Sequence, residues 1–242
     1  TFTGAVTLGA SITAASTGAS STGNNISFSS TVNGAKDFTV TSGVGSITFT
    51  GAVGNSAALS SLSTTSTHAS GTILGGNVTT TGTQTYTGAV TLSGTGATRT
   101  LTGTTVGFGS TLAGGANALV ITGAGSFGGA VTNLTSLSVS GASSIGANIT
   151  TSGTQTYTGA ATLGADVTLA TTNSNILFGS TLNSDLTAAR AITANVGTAN
   201  ITFTGAVGSS AALTSLTTDA GTAGSVAING GVVNTTGAQS YG

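Results

Sequence analysis

The chain has 242 residues, of which only 3% are charged, and a formal net charge of −1. This balance provides no basic surface for nucleic acid or acidic lipid. The absence of cysteine excludes disulfides and thiolate metal sites.

The remaining composition indicates a folded β protein. Hydrophobic residues make up 38% of the chain, more than a disordered linker contains. Thr, Ser, Val and Gly are weak helix formers, and the alanines show no 3.6-residue stripe. No apolar run approaches the roughly 18 residues of a membrane helix. No signal peptide is recognisable, so if the protein is exported we expect the signal to lie outside this sequence.

Related phrases recur in chain order, and most are marked by an aromatic residue. The first begins TFTGAV and recurs as TYTGAV, TYTGAA and QSYG, around Phe2, Tyr86, Tyr157 and Tyr241. The second and third surround Phe28, Phe108 and Phe178, and then Phe49, Phe127 and Phe203. A weaker fourth phrase reads GTILGGNVTTTG, SSIGANITTSG and SVAINGGVVNTTG.

These phrases group into three long repeats, residues 1–84, 85–155 and 156–242. With four phrases in each, the mean spacing is about 20 residues, which is typical of one coil of a solenoid. The sequence therefore predicts a single all-β domain over 1–242. We expect a parallel β-helix, or β-solenoid, of about 12 coils.

Within a phrase the local period is two, which indicates short strands separated by tight turns. Residues predicted to point inward are Ile201, Phe203, Val207, Leu213 and Leu216. Residues predicted to point outward are Thr202, Thr204, Thr214 and Thr217. The ten phrase aromatics, Phe2, Phe28, Phe49, Tyr86, Phe108, Phe127, Tyr157, Phe178, Phe203 and Tyr241, are expected inside or lining corners, where stacked coils place like residues over like.

The absence of proline and the scarcity of charged residues favour the same architecture. Proline cannot donate a hydrogen bond to a strand that has neighbours on both sides, and the chain has none. Identical charges at one coil position would stack about 4.8 Å apart and repel. Hydroxyl groups in that position can instead hydrogen-bond to one another.

The phrases TGTQTYTGAVTLSG, ITFTGAVGSSAALTSLTTDAG and VAINGGVVNTTGAQSY resemble the repeat regions of very large bacterial exported proteins of the filamentous haemagglutinin type. These include two-partner-secretion exoproteins and autotransporter-like adhesins. The resemblance covers the whole chain. It implies a right-handed parallel β-helix, export across the outer membrane and an extracellular, cell-surface role.

Groups that could perform catalysis are sparse. Lys36, Asp37, Arg99, Asp166, Asp185, Arg190 and Asp219 are the charged residues, and His68 is the only histidine. Lys36–Asp37 and Asp185–Arg190 are interpreted as solvated or turn-capping contacts, and His68 as a surface side chain. Asp166 and Asp219 are expected to accept hydrogen bonds from turn backbone. The prediction is a protein that is not an enzyme, with no catalytic, cofactor-binding or metal residues; a single calcium ion stays an open alternative.

Six Asn-x-Ser/Thr triplets begin at Asn25, Asn77, Asn133, Asn148, Asn200 and Asn234. Most of them are interpreted as an asparagine corner followed by a strand, because asparagine tolerates turn conformations. Glycosylation at these sites is the less favoured alternative.

Two functional classes fit. The first is a stiff structural rod in an extracellular fibre or adhesin shaft, supporting attachment or a biofilm matrix. The second is a flat threonine-rich face that binds ice, a crystalline polysaccharide, another carbohydrate or a protein. Thr-x-Thr triplets centred on Phe2, Phe49, Tyr86, Tyr157 and Phe203 suggest such a face. Other phrases break the pattern, so we expect interrupted threonine ladders.

The two ends of the sequence are in phase. The last residues, TTGAQSYG, match the residues that precede TGAVTL elsewhere in the chain. The first residues, TFTGAVTL, contain that second part without the residues that precede it elsewhere. No polar capping segment is recognisable at either end. We therefore expect further repeats or further copies end to end as partners, with lateral fibre association or surface glycans in addition. No nucleic acid, membrane span or cofactor is expected.

Overall fold

The computed structural model describes residues 1–16, 24–219 and 223–242. The described chain is all-β, with 53% strand and no helix. Accordingly, those residues include no helix of the length and apolarity that crossing a membrane requires. They form two compact units, 1–123 and 124–242.

The strands of the first unit are short, except near its end. They are β1 (Val6–Thr7), β2 (Ile12–Ala15), β3 (Ile26–Phe28), β4 (Val32–Asn33), β5 (Asp37–Gly43), β6 (Ile47–Phe49), β7 (Ser61–Ser66), β8 (Thr72–Leu74), β9 (Val78–Thr79), β10 (Gln84–Tyr86), β11 (Val90–Leu92), β12 (Thr98–Phe108) and β13 (Leu112–Phe127), whose last residues belong to the second unit.

The second unit continues with the same kind of strand. Its strands are β14 (Val131–Val139), β15 (Ser143–Ile145), β16 (Ile149–Thr151), β17 (Gln155–Tyr157), β18 (Ala161–Leu163), β19 (Val167–Ala170), β20 (Ile176–Phe178), β21 (Leu182–Ser184), β22 (Ala191–Asn195), β23 (Ile201–Phe203), β24 (Ser215–Asp219), β25 (Val226–Ile228) and β26 (Gln239–Tyr241).

Strands pair in parallel with the equivalent strand one coil away. In the first unit β2, β5, β7, β10 and β12 form one such ladder. In the second unit β17, β20, β23 and β25 form another. Because every pairing joins successive coils, the predicted parallel β-solenoid is confirmed.

The coils number about ten, so the predicted count of twelve is too high. Coil length varies more than the phrases indicate. Ser143 pairs with Ala161, 18 residues later, whereas Ile12 pairs with Phe38, 26 residues later. The corners between strands differ in length, and the longer corners reduce the number of coils.

Aromatic rings form ladders inside the solenoid. In the first unit Phe28 stacks between Phe2 and Phe49, with ring centroids 4.8 and 5.0 Å apart. In the second unit Phe178 stacks between Tyr157 and Phe203, at 5.2 and 5.3 Å. The predicted stacking of like residues is therefore confirmed. The five residues expected inward around Phe203 are all fully buried, whereas the four threonines expected outward are partly or fully exposed.

Eight of the ten phrase aromatics are buried as predicted, and two are not. Phe2 is 47% exposed and Tyr241 is 44% exposed. Both lie in the outermost coils of their units, so each has a neighbouring coil on one side only. Phe38, which lies outside the predicted phrases, is also buried and packs edge-on against Phe28 at 5.4 Å.

Exposed asparagines at the corners bond to the backbone of the adjacent coil. The amide oxygen of Asn25 accepts from the Ser46 N–H at 2.8 Å, and that of Asn148 accepts from the Thr168 N–H at 2.8 Å. Asn77, Asn175 and Asn200 do the same. These bonds satisfy N–H groups that lie outside the strand ladders, and they support the corner interpretation of the Asn-x-Ser/Thr triplets.

We expect Asn148→Ala to lower the free energy of unfolding by about 1 kcal/mol, because it leaves the Thr168 N–H without its protein acceptor. Urea unfolding followed by circular dichroism measures the change. The matched control is Asn229→Ala, since the exposed Asn229 amide bonds to no other described residue. Equal losses in the two variants would contradict the role given to Asn148.

Candidate functional site

The charged residues of the described chain are dispersed. Only Arg190 and Asp185 form an ion pair there, with Nη2 and Oδ2 3.2 Å apart. The Thr187 hydroxyl and the Ala188 N–H also donate to the Asp185 carboxylate. These hydrogen bonds, the Thr187 hydroxyl first, lower the pKa of Asp185 to about 2. The arrangement ties a corner loop together, which matches the turn-capping alternative.

Other carboxylates bond to neighbouring coils. Asp37 accepts from the hydroxyls of Ser11 and Ser61 at 3.2 and 2.7 Å. Asp166 accepts from the Ala191 N–H at 2.8 Å, so it bonds to backbone as predicted, but to an adjacent coil rather than to its own turn. Nowhere among residues 1–16, 24–219 and 223–242 do three or more His, Cys, Asp or Glu side chains lie close enough to hold a metal.

A buried polar network surrounds Tyr86 and links two coils of the first unit. The Tyr86 hydroxyl donates to the amide oxygen of Gln84 at 3.0 Å. The Gln84 amide nitrogen donates to the Val78 carbonyl in its own coil at 3.2 Å and to the Thr102 carbonyl in the next coil at 2.8 Å. Thr80 completes the network with a bond to the Gly82 carbonyl. We call this arrangement the Gln–Tyr bridge.

The second unit repeats the Gln–Tyr bridge. Tyr157 donates to Gln155, which donates to the carbonyls of Ile149 and, in the next coil, Ala170 at 2.9 Å. Burial raises the pKa of both Tyr86 and Tyr157 far above the ordinary value of 10.0. The sequence analysis treated these tyrosines only as apolar anchors. A glutamine two positions before each tyrosine was the available signal.

The third copy lies in the outermost coil of the second unit. Tyr241 donates to Gln239 at 2.8 Å, and Gln239 donates to the Val233 carbonyl and the Thr235 hydroxyl. The internal bonds of the bridge are therefore preserved. Both side chains are exposed, whereas their counterparts in the first two copies are buried.

The first coil of the first unit also exposes its interior. A cavity of about 250 Å³ opens among apolar side chains that include Phe2, Leu8, Ile12 and Phe38. Phe2 and Ile12 are 47% and 44% exposed. These positions correspond to buried ladder positions in the following coils, since Ile12 pairs with Phe38.

One surface of the first unit carries aligned hydroxyl groups. The register of β5, β7 and β10 places Thr39 beside Ser63 and Ser63 beside Thr85, and it places Thr41 beside Thr65. The hydroxyl face consists of Thr39, Thr41, Ser63, Thr65, Thr85 and Thr87. Its hydroxyls are partly or fully exposed and have no hydrogen-bond partner among the described residues.

The two ladders of the hydroxyl face end at different coils. In the preceding coil Ala15 pairs with Thr41 and ends one ladder, whereas the exposed Thr13 pairs with Thr39 and continues the other. In the following coil Gly107 pairs with Thr85 and interrupts that ladder. The prediction of interrupted ladders is therefore confirmed. Of the predicted triplets, the one centred on Tyr86 lies in this face, whereas the one centred on Phe49 does not, because Thr48 and Thr85 lie in different strand ladders. Triplets centred on Val40 and Thr64, which the sequence analysis did not single out, supply its other members.

His68 lies exposed in the corner that follows β7. Its Nδ1 accepts from the Ser70 N–H at 3.1 Å, so the neutral imidazole carries its proton on Nε2. The corner borders an open cavity of about 440 Å³ next to the hydroxyl face. The sequence analysis missed this cavity because it depends on how corners of different length stack.

Comparison with protein-family models, with curated proteins and with solved structures gives no match for this chain.

Proposed function

We propose that the chain is a structural rod of an extracellular fibre or adhesin shaft, supporting cell-surface attachment or a biofilm matrix. The observation that carries the proposal is the Gln–Tyr bridge. Two copies, at Gln84 and Gln155, tie one coil to the next through a buried amide. In the third, the Gln239 amide keeps its hydrogen bonds to Val233 and Thr235 in its own coil, but the side chains of Gln239 and Tyr241 are exposed.

The energetics of a solenoid support this role. Each coil contacts only its neighbours, so stability is approximately a sum of coil terms and interface terms, and length is added at little cost. The near absence of charge keeps long-range repulsion between such rods small. Hydroxyl-rich sides of this kind favour lateral association in a fibre.

The partners that we infer are further repeats or further copies of the chain, joined end to end. Ile228, Val232 and Tyr241 expose apolar surface in the last coil of the second unit. Phe2 and Ile12 expose it in the first coil of the first unit. Among the described residues, strands β2 and β26 of these coils pair on one side only, and unpaired strand edges are templates for further strand addition. The cell-surface location follows from the resemblance to filamentous haemagglutinin repeats and is part of the proposal.

We expect Tyr241→Lys to abolish end-to-end assembly of the 242-residue chain, because an ammonium group buried between coils is costly. The unaltered chain should form linear assemblies in electron micrographs as its concentration rises. Fibre diffraction should give a meridional spacing of about 4.8 Å. Leu186→Lys is the matched control, since Leu186 is an apolar residue 91% exposed in a corner loop, and we expect it to assemble normally.

Two results contradict the proposal. The first is a discrete particle of 22.6 kDa at every concentration. The second is assembly that both lysine variants weaken equally. Electron microscopy of native material, combined with the mass of the full polypeptide, distinguishes one long covalent chain from a stack of copies.

A further inference from the structure

A ledge beside the hydroxyl face results from corners of unequal length. The corner between β7 and β8 has five residues, 67–71, whereas the corners between β10 and β11 and between β12 and β13 have three, 87–89 and 109–111. The longer corner, residues 67–71, projects beyond the two shorter ones that follow it, and we call it the ledge. The space beneath is the open cavity of about 440 Å³, which we call the ledge groove.

Gly71 fixes the shape of the ledge. Its φ is +54°, and a Cβ at this position would lie 1.8 Å from the Ala89 carbonyl oxygen. The Thr72 N–H donates to that same oxygen at 2.8 Å. Only glycine therefore allows the longer corner to return to the strand ladder so close to the next coil.

The chemistry of the ledge groove is neutral and rich in hydroxyls. The hydroxyls that line it without a partner among the described residues belong to Thr65, Thr87, Ser110 and Thr111. His68 at the rim adds a ring N–H, because its Nδ1 already accepts a hydrogen bond. Ala69 and Ala89 contribute small apolar patches. No charged side chain is among the lining residues.

The ledge groove and the hydroxyl face form one surface, because Thr65 and Thr87 belong to both. Across this surface, hydroxyl groups repeat about 4.8 Å apart from coil to coil and about 6.6 Å apart along a strand. An extended ligand on the face thus meets the ledge at one edge. A volume of about 440 Å³ lies within the range of about 300–1,000 Å³ found for small-molecule sites.

We propose that this combined surface binds a neutral polysaccharide. A sugar chain offers hydroxyls that both donate and accept, which matches an array of threonine and serine hydroxyls. Its C–H faces suit the alanine patches. Anionic chains lack a cationic partner here, since no lysine or arginine lines the groove. Sugar binding at this surface is separate from the role as a structural rod and does not require end-to-end assembly.

Two other ligands fit less well. An ice plane requires a flat and continuous array, whereas the ledge at His68 projects from one edge. The aligned hydroxyls end after four coils, because Gly107 follows Thr85 in the ladder. A protein partner usually anchors on aromatic or arginine side chains. The exposed large apolar residues Phe2, Ile12, Val44, Leu186, Ile228, Val232 and Tyr241 do not line the groove.

The only histidine of the chain provides the test. We expect its imidazole proton resonances to shift, at constant pH, as neutral hexasaccharides of glucose, mannose, galactose or N-acetylglucosamine are titrated into the full chain. At least one of these should bind with a saturable curve. Thr87→Val and Thr111→Val keep the side-chain shape and remove one hydroxyl, so each should weaken binding roughly 3–10-fold. Thr48→Val, on an outward position of β6 away from this surface, should leave affinity unchanged.

Several outcomes overturn the proposal. One is the absence of any His68 shift with all four sugars. Another is sugar binding that Thr48→Val weakens as much as Thr87→Val. Stronger binding of heparin than of every neutral sugar assigns the surface to an anion instead. Thermal hysteresis that disappears in Thr87→Val, without sugar binding, assigns it to ice.

Discussion

Replacing Phe178 by alanine is expected to lower the free energy of unfolding by about 3–5 kcal/mol. Phe178 is 1% exposed and stacks on Tyr157 and Phe203, so its removal opens a cavity between two rings. The rigid strand ladders on both sides, at Tyr157 and Phe203, limit how far the site can collapse. The loss should therefore lie at the high end for a single core residue.

Urea unfolding, combined with hydrogen exchange of the amides in β17, β20 and β23, measures this loss. Exchange is included because solenoids can unfold coil by coil. Phe2→Ala is the matched control. Phe2 stacks on Phe28 at 4.8 Å but is 47% exposed, so its loss should be less than half as large. Similar losses in both variants would contradict the view that two-sided stacking holds the coils together.

The all-β fold class and the inward-facing residues could be predicted from the sequence, because they depend on the local alternation of apolar and polar or small residues. Ile201, Phe203 and Val207 alternate with threonine or small residues, and a strand can bury only one face. The ladders followed from the repeat, since equal phrases in successive coils must stack. Phe38 was missed because the text around it, KDFTV, matches none of the phrases.

The coil count and the candidate site could not be predicted in the same way. Both depend on the lengths of corners, and a corner is not periodic. The alignment of Thr41 with Thr65 joins two phrases that do not resemble each other. The ledge at His68 requires a five-residue corner next to three-residue ones, which is visible only when the strand register is known.

Only part of the Gln–Tyr bridge could be predicted from the sequence. The pattern Gln-x-Tyr occurs at Gln84, Gln155 and Gln239, which indicates a shared role. What the pattern does not reveal is the acceptor in the next coil, because the carbonyls of Thr102 and Ala170 lie at different sequence separations from their glutamines. The bridge thus joins a local motif to a partner at a variable position. Ionisation of its tyrosine has a measurable effect on stability.

Stability is expected to fall steeply above pH 10, by about 2.7 kcal/mol per pH unit. Tyr86 and Tyr157 are fully buried, and burial raises the pKa of each phenol far above its ordinary value of 10.0. Above pH 10 the unfolded chain releases both protons while the folded chain retains them. The native state then binds more protons than the unfolded state. The stabilisation is therefore fully present below pH 10, and the free energy of unfolding falls as pH rises above it, by about 1.4 kcal/mol per pH unit for each tyrosine.

Phenolate absorbance separates the three tyrosines of the chain. Tyr241 is 44% exposed, so it should ionise in the folded protein, above pH 10 because partial burial raises its pKa. Tyr86 and Tyr157 should ionise only as the protein unfolds. In the double variant Tyr86→Phe, Tyr157→Phe the urea midpoint should become nearly independent of pH in this range, although each change also costs about 1 kcal/mol at neutral pH through the lost bond to glutamine. Ionisation of all three tyrosines in the folded state would show that the bridges are open to solvent, and the coils would then be held by the aromatic stacks and the strand ladders alone.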